Sequence, residues 1–148
     1  MIFGLTPYHI GVCVDDLDGE WLAVADRFGI HLGEPVHAAC PLRTADGIES
    51  VANLRSAWSK GIYPALEVTQ ALPGTIWTAG QGIHHFGVWA EDLRGLTERC
   101  LSAGARMELE GSVDGQLAFR YMHMPGGVRI ELVDVSMKPY IDQITATD

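Results

Sequence analysis

The chain has 148 residues, 47% hydrophobic and 20% charged, an ordinary globular balance rather than that of a disordered polymer. Ten basic residues against 19 acidic ones give a formal charge of -9, which repels a phosphate backbone; no basic stripe offsets it, so no nucleic-acid partner is expected. No apolar run reaches the roughly 18 residues of a membrane span, and Met1 to Pro7 lacks the basic region of a secretory signal, so the expectation is a cytoplasmic protein with no membrane partner.

Pro7 to Val14 alternates and carries the β-branched Ile10, Val12 and Val14, which predicts a strand. Asp15 or Asp16 then offers a helix cap. Leu17, Trp21, Leu22, Val24, Ala25 and Phe28 supply an apolar helical face, and Gly29 ends it. Three strands follow over Gly33 to Leu42, Ile48 to Trp58 and Ile62 to Gln70, separated by the turn signals Asp46-Gly47 and Ser59-Lys60-Gly61. After a link carrying Pro73-Gly74 and Gly80, the same order returns. His84 to Ala90 reads as a strand. Asp92 caps a helix to about Ala103 with Leu93, Leu96, Cys100 and Leu101 on one face. Ala105 to Val113, Leu117 to Met124 and Val128 to Val135 read as strands, with Asp114-Gly115 and Pro125-Gly126-Gly127 between them. The tail after Pro139 suits a short helix. Cys13, Cys40 and Cys100 are odd in number, form no CxxC pair and read as small buried hydrophobes.

The β-α-β-β-β order occurs twice, and so does a phrase. Tyr8-His9-Ile10-Gly11-Val12-Cys13-Val14-Asp15-Asp16-Leu17 returns as His84-His85-Phe86-Gly87-Val88-Trp89-Ala90-Glu91-Asp92-Leu93. The last strands also correspond, Ala65-Leu66-Glu67-Val68 with Arg129-Ile130-Glu131-Leu132. The expected organisation is one domain over residues 1–148: module one at about 6–71, a link over 72–83, module two at about 84–136 and a tail over 137–148. By strand alternation Ile10, Val12 and Val14 face the helix while His9, Gly11 and Cys13 face the other way, and Glu67 and Glu131 lie on the faces away from the helices. A carboxylate inside an apolar strand is costly unless it is paired, exposed or bound to a cation. His9, Glu67, His85 and Glu131 therefore read as ligands of one divalent metal, imidazole nitrogen with hard carboxylate oxygen. The repeat aligns His85 with His9, and His84 with Tyr8, so His84 is expected to be a packing or supporting residue. Gly11 and Gly87, two after each histidine on the same face, are expected to leave room for a metal, a water or a substrate.

These motifs, with Leu72-Pro73-Gly74 and Gly126-Gly127-Val128, resemble the vicinal oxygen chelate superfamily of glyoxalases, bleomycin-resistance proteins and dioxygenases. Within it the chain is most similar to the glyoxalase-like branch that includes methylmalonyl-CoA epimerases. The resemblance implies an α+β fold, two βαβββ modules forming a cupped, barrel-like mixed sheet around one metal cleft. The four ligand positions of the family are all filled here, by His9, Glu67, His85 and Glu131. A full set implies a redox-inert metal such as Zn, Ni, Co or Mn. Ring-cleaving Fe(II) dioxygenases of the family keep two histidines and one carboxylate, with open positions.

The activity implied is that of an isomerase, epimerase or lyase acting on a small carbonyl compound by proton abstraction beside a carbonyl that the metal polarises. By the same resemblance Glu131 is the base, Glu67 has the symmetrical role, and Glu49 is a candidate for the second catalytic glutamate of the epimerases. Trp89 and Cys13 lie on the metal-side face by parity, and Tyr121 and His123 share one face of their strand, making these four the candidate cleft residues. Two other readings stand beside the enzyme: a non-catalytic small-molecule binder of the same fold, and an Fe(II) dioxygenase. A CoA thioester, a glutathione adduct and a neutral metabolite all stay open as ligand classes. A homodimer is expected from the family, with modules paired within one chain or exchanged between two.

Overall fold

The computed structural model describes residues 2–80 and 82–148; Met1, Gln81 of the link, and the side chains of Glu20 and Val24 lie outside the described set. Eight strands form one closed barrel. They are β1 (His9–Val14), β2 (Val36–Thr44), β3 (Glu49–Trp58) and β4 (Ala65–Gln70), then β5 (His85–Ala90), β6 (Arg106–Val113), β7 (Gln116–His123) and β8 (Arg129–Asp134). A π-helical turn (Leu17–Trp21) runs into α1 (Leu22–Arg27) after β1, α2 (Leu93–Ser102) follows β5, and α3 (Lys138–Thr145) ends the chain. The order around the barrel is β1-β4-β3-β2-β6-β7-β8-β5. Each half is thus the same four-stranded unit, its first strand parallel to its last. The halves meet at two antiparallel seams, β1 with β5 and β2 with β6. Pairing of the modules within one chain closes the barrel.

Alternation along the strands sorts the side chains into an inner layer and two outer ones. Inside lie Tyr8, Trp58, Trp77, Phe119, Tyr121 and Val133 with others. Outside, Val14 and Val68 pack with Leu17 under α1, and Val88, Met122, Ile130 and Leu132 pack under α2 against Leu93, Leu96 and Cys100. Each such aliphatic side chain contributes about 1.5–3 kcal/mol on full burial. Both helices start in the same way. The Asp16 carboxylate accepts from Gly19 N at 2.9 Å, and the Asp92 carboxylate accepts from Gly95 N at 2.9 Å. A Cβ on either glycine would overlap the capping carboxylate, so the internal repeat runs on past Leu17 and Leu93 to these glycines.

Two expected helix positions are corrected. Phe28 is exposed, because the wider π turn breaks the 100° phase that would have carried an apolar stripe from Leu17 to it. Leu101 is also exposed. The buried stripe of α2 is Leu93, Leu96, Thr97 and Cys100, and Leu101 sits one position off it. β4 starts at Ala65 rather than Ile62, after Pro64, which has no N–H to give a ladder. Asp114 and Gly115 both take positive φ, 50° and 76°, as a two-residue hairpin between β6 and β7 requires. All three cysteines are buried and free. No helix among the described residues is long and apolar enough to cross a membrane.

Candidate metal centre

The seam between β1 and β5 brings the two repeated phrases face to face. His9 pairs with Gly87 and Gly11 pairs with His85. A Cβ on Gly11 would overlap the His85 ring, and one on Gly87 would overlap the His9 ring. Each glycine is thus a hollow for the other module's imidazole. This corrects the expectation that they clear space for a metal, water or substrate. β4 and β8 flank the seam in parallel register, Gly11 beside Glu67 and Gly87 beside Glu131, so both carboxylates arrive at the same level of the barrel.

Four ligand atoms converge there. His9 Nε2 and His85 Nε2 are 2.8 Å apart. His9 Nε2 is 3.5 Å from Glu67 Oε2 and 3.2 Å from Glu131 Oε2, and His85 Nε2 is 3.3 and 3.4 Å from the same atoms. All four lie within 4.8 Å of one another. Metal bonds of about 2.1 Å at tetrahedral or octahedral angles put neighbouring ligand atoms about 3.0–3.4 Å apart. The donor set, two imidazole nitrogens and two carboxylate oxygens in a buried pocket, fits a divalent cation. His9 and His85 are both almost fully buried, and His9 Nδ1 has no hydrogen-bond partner among the described residues.

Electrostatics within the cluster are strong. Burial lowers the pKa of His85, but hydrogen bonds and charge from Glu131 and Glu67 outweigh it and raise the value to about 9. Burial alone would raise Glu131, yet His85 and His9 hold it well below the usual carboxylate range. Glu131 is therefore ionised at neutral pH. Burial likewise keeps the phenols of Tyr8 and Tyr121 protonated and pushes the Cys13 thiol up to about 12. A cation would need His85 neutral with Nε2 as the lone pair. Its Nδ1–H then donates to His84 Nδ1 at 2.9 Å, while His84 Nε2 lies between the Ile76 carbonyl at 2.7 Å and Arg129 Nη1 at 2.8 Å. His84 is kept neutral for this, burial lowering its pKa with help from the charges of His85 and Arg129 against the Ile76 carbonyl. The guanidinium of Arg129, close by, is forked onto Glu108 at 2.6 and 3.1 Å.

The two glutamates differ in their surroundings. Trp58 pairs with Glu67 and Ser56 with Thr69 across β3 and β4. The matching pairs of module two are Tyr121 with Glu131 and Phe119 with Val133. Ser56 Oγ donates to Glu67 Oε1 at 3.1 Å and accepts from Thr69 Oγ1 at 3.4 Å. Phe119 and Val133 offer Glu131 no such hydrogen bond. Both carboxylates border an inner cavity of about 120 Å³, walled by Ser56, Trp58, Phe119 and Val133 and closed by Met137, Tyr140 and Ile141 from the α3 region.

The other predicted residues fall at different distances from this centre. Tyr121 packs its ring edge-on to His85, centroids 5.2 Å apart. Trp89 stacks flat on Tyr8 at 3.7 Å and supports that cavity wall from behind. Cys13 and His123 border a separate groove beside residues 78–80 and 82–84, together with Arg129, and not the cavity. Glu49 lies apart from this centre. It is exposed at the start of β3, in a groove with Arg43 and Glu110, nine residues along the strand from Trp58. By alternation it also shares the outer face with Ala57, while Ser56 and Trp58 point inward. Residues that sequence reasoning passed over are Ser56 and Phe119, and Trp58, which reads as ordinary core from sequence, also belongs here. Trp58 packs on His9 at 5.0 Å between ring centroids. Counting by twos back from the pairing partner of each glutamate would have found them, but that needs the strand register.

A family model described as Glyoxalase/Bleomycin resistance protein/Dioxygenase superfamily matches residues 8–123. The chain belongs to that superfamily. Its fold resembles that of a hypothetical protein from Bacillus halodurans, with TM-score 0.58 and 16% identity over 88% of this chain and 94% of the other. Glyoxalase I from Leishmania major, described as trypanothione-dependent, matches with TM-score 0.34 and 14% identity over 93% and 92%. Glyoxalase I from Zea mays matches with TM-score 0.28 and 21% identity over 86% and 43%. No curated protein matches the chain.

Proposed function

We propose that the chain is a metal-dependent isomerase, epimerase or lyase that removes a proton from carbon next to a carbonyl group. The observation that carries this is the convergence of four donors at 2.8–3.5 Å from four strands of a closed barrel. A divalent cation bound there would act as a Lewis acid, favouring the negative charge that develops on a carbonyl oxygen. Glu131 is the base. It is ionised, lies at the cavity wall, and beyond its contacts with His9 and His85 has no hydrogen bond to hold it among the described residues. Glu67, fixed by Ser56, stays in place as a ligand. The apolar walls keep water away from the reacting carbon and strengthen these electrostatic terms.

Elemental analysis of purified protein tests the first half. About one equivalent of Zn, Ni, Co or Mn supports the proposal, whereas iron together with oxygen uptake favours ring-cleaving chemistry, and no uptake even after soaking overturns it. Glu131→Gln tests the second half. Deuterium exchange from solvent into a small α-hydroxy ketone should fall by about 100-fold or more, while survival of the exchange removes Glu131 from the role of base.

A further inference from the structure

The cavity beside the cluster restricts the substrate, given the metal-centre reading above. None of the residues lining it is basic. Arg129, at 2.8 Å from His84 Nε2, is paired with Glu108, and Arg120 is paired with Glu110. The formal charge of -9 adds a repulsive field around the centre. Size points the same way. The cavity measures about 120 Å³, and an apolar cavity of about 150 Å³ holds one benzene.

One wall of the cavity is formed by Met137, Tyr140 and Ile141. Ile141 is buried in the inner core, with Met137 and Ile144 packed beside it. The segment is held to the barrel rim by Gly61 N donating to Thr145 O at 3.0 Å and by the ion pair of Lys60 with Asp148 at 2.7 Å. We propose that the substrate is a compact carbonyl compound whose body is uncharged, apolar and no larger than about one six-membered ring, and that α3 imposes this limit. Thioesters and thioethers of large anionic carriers are thereby disfavoured on both charge and size.

Hydroxamates, which present two adjacent oxygens to a metal, provide the test. Protein is first loaded with Zn²⁺ and its metal content measured, then titrated calorimetrically with four probes. Benzohydroxamate should bind about tenfold or more tighter than acetohydroxamate, from burial of its ring. 4-Carboxybenzohydroxamate and 2-naphthohydroxamate should each bind about tenfold or more weaker than benzohydroxamate, the first from an unpaired buried charge and the second from overpacking. Ile141→Ala should bring the naphthyl probe to within about threefold of benzohydroxamate without changing the metal content, and Met137→Ala provides the same enlargement if the first variant folds poorly. Protein that takes up one Zn²⁺ but binds the carboxylated or naphthyl probe as tightly as benzohydroxamate overturns the charge or size limit alone. Protein that takes up no cation overturns the metal reading, and this inference with it.

Discussion

In module one, Glu67 leans on a serine and His9 Nδ1 has no partner among the described residues; in module two, Glu131 faces Phe119 and His85 rests on His84. The backbone places these four residues by near-exact repetition, yet each module supports a different one of its two ligands. The two modules present a symmetrical set of donors, and their differing neighbours give Glu67 a hydrogen bond from Ser56 that Glu131 lacks among the described residues. On the proposed mechanism, the side chain two residues along the neighbouring strand, and not the ligand atoms alone, sets which glutamate moves a proton.

The largest expected effect lies where the modules are alike. Gly11→Ala and Gly87→Ala each push a methyl into an imidazole of the opposite module. Each should destabilise the fold by about 1–3 kcal/mol and abolish metal uptake, read by urea unfolding and elemental analysis. Unequal losses would break the symmetry at the seam. The next effect is where the modules differ. Ser56→Ala and His84→Ala should each weaken Zn²⁺ affinity about 10- to 100-fold. Phe119→Leu, at the position matching Ser56, should leave it within about threefold. Equal effects of Ser56→Ala and Phe119→Leu would erase the proposed division between the glutamates.

A smaller effect is the pH dependence. With the His85 pKa near 9 in metal-free protein, a cation must displace its proton, so affinity should rise about tenfold per pH unit up to about 9 and flatten above. The raised value also stabilises the metal-free fold. That contribution is complete below the unfolded value of about 6.5 and is lost as pH rises through about 9. Thermal unfolding should show this fall in metal-free protein and much less of it in loaded protein. The smallest effect is Tyr8→Phe. No hydrogen bond to the cluster is lost, so metal affinity should stay within about twofold, against the large loss for its counterpart His84→Ala.

Much of this arrangement was legible in the sequence because it rests on period-two alternation and on repetition. His9, His85, Glu67 and Glu131 could be placed on one face from those rules, and alignment with Tyr8 set His84 behind His85. The position of Glu49 was not legible. Its likeness to an epimerase glutamate rested on spacing along the chain, whereas its place depends on which way residue 49 faces and on the pairing of Trp58 with Glu67. The π turn before α1 hid the exposure of Phe28 for a similar reason, since it alters the phase on which a helical stripe is counted. Ser56 escaped notice because a lone serine in a strand has no signature until its neighbour is known. The role of α3 depends on a contact across the whole barrel, from Ile141 to the inner core.

The glycine hollows at the seam bear on when the centre can exist. His9 and His85 stand 76 positions apart and each needs a cavity in the other half. A single module on its own therefore holds only half of the donors, and a partly folded chain presents no complete site. A cation that binds the finished barrel alone would add about 2.7 kcal/mol of stability at a free concentration 100 times its dissociation constant. Persistence of this protein in a cell would then follow the supply of metal, falling when the metal is scarce even if synthesis of the chain is unchanged.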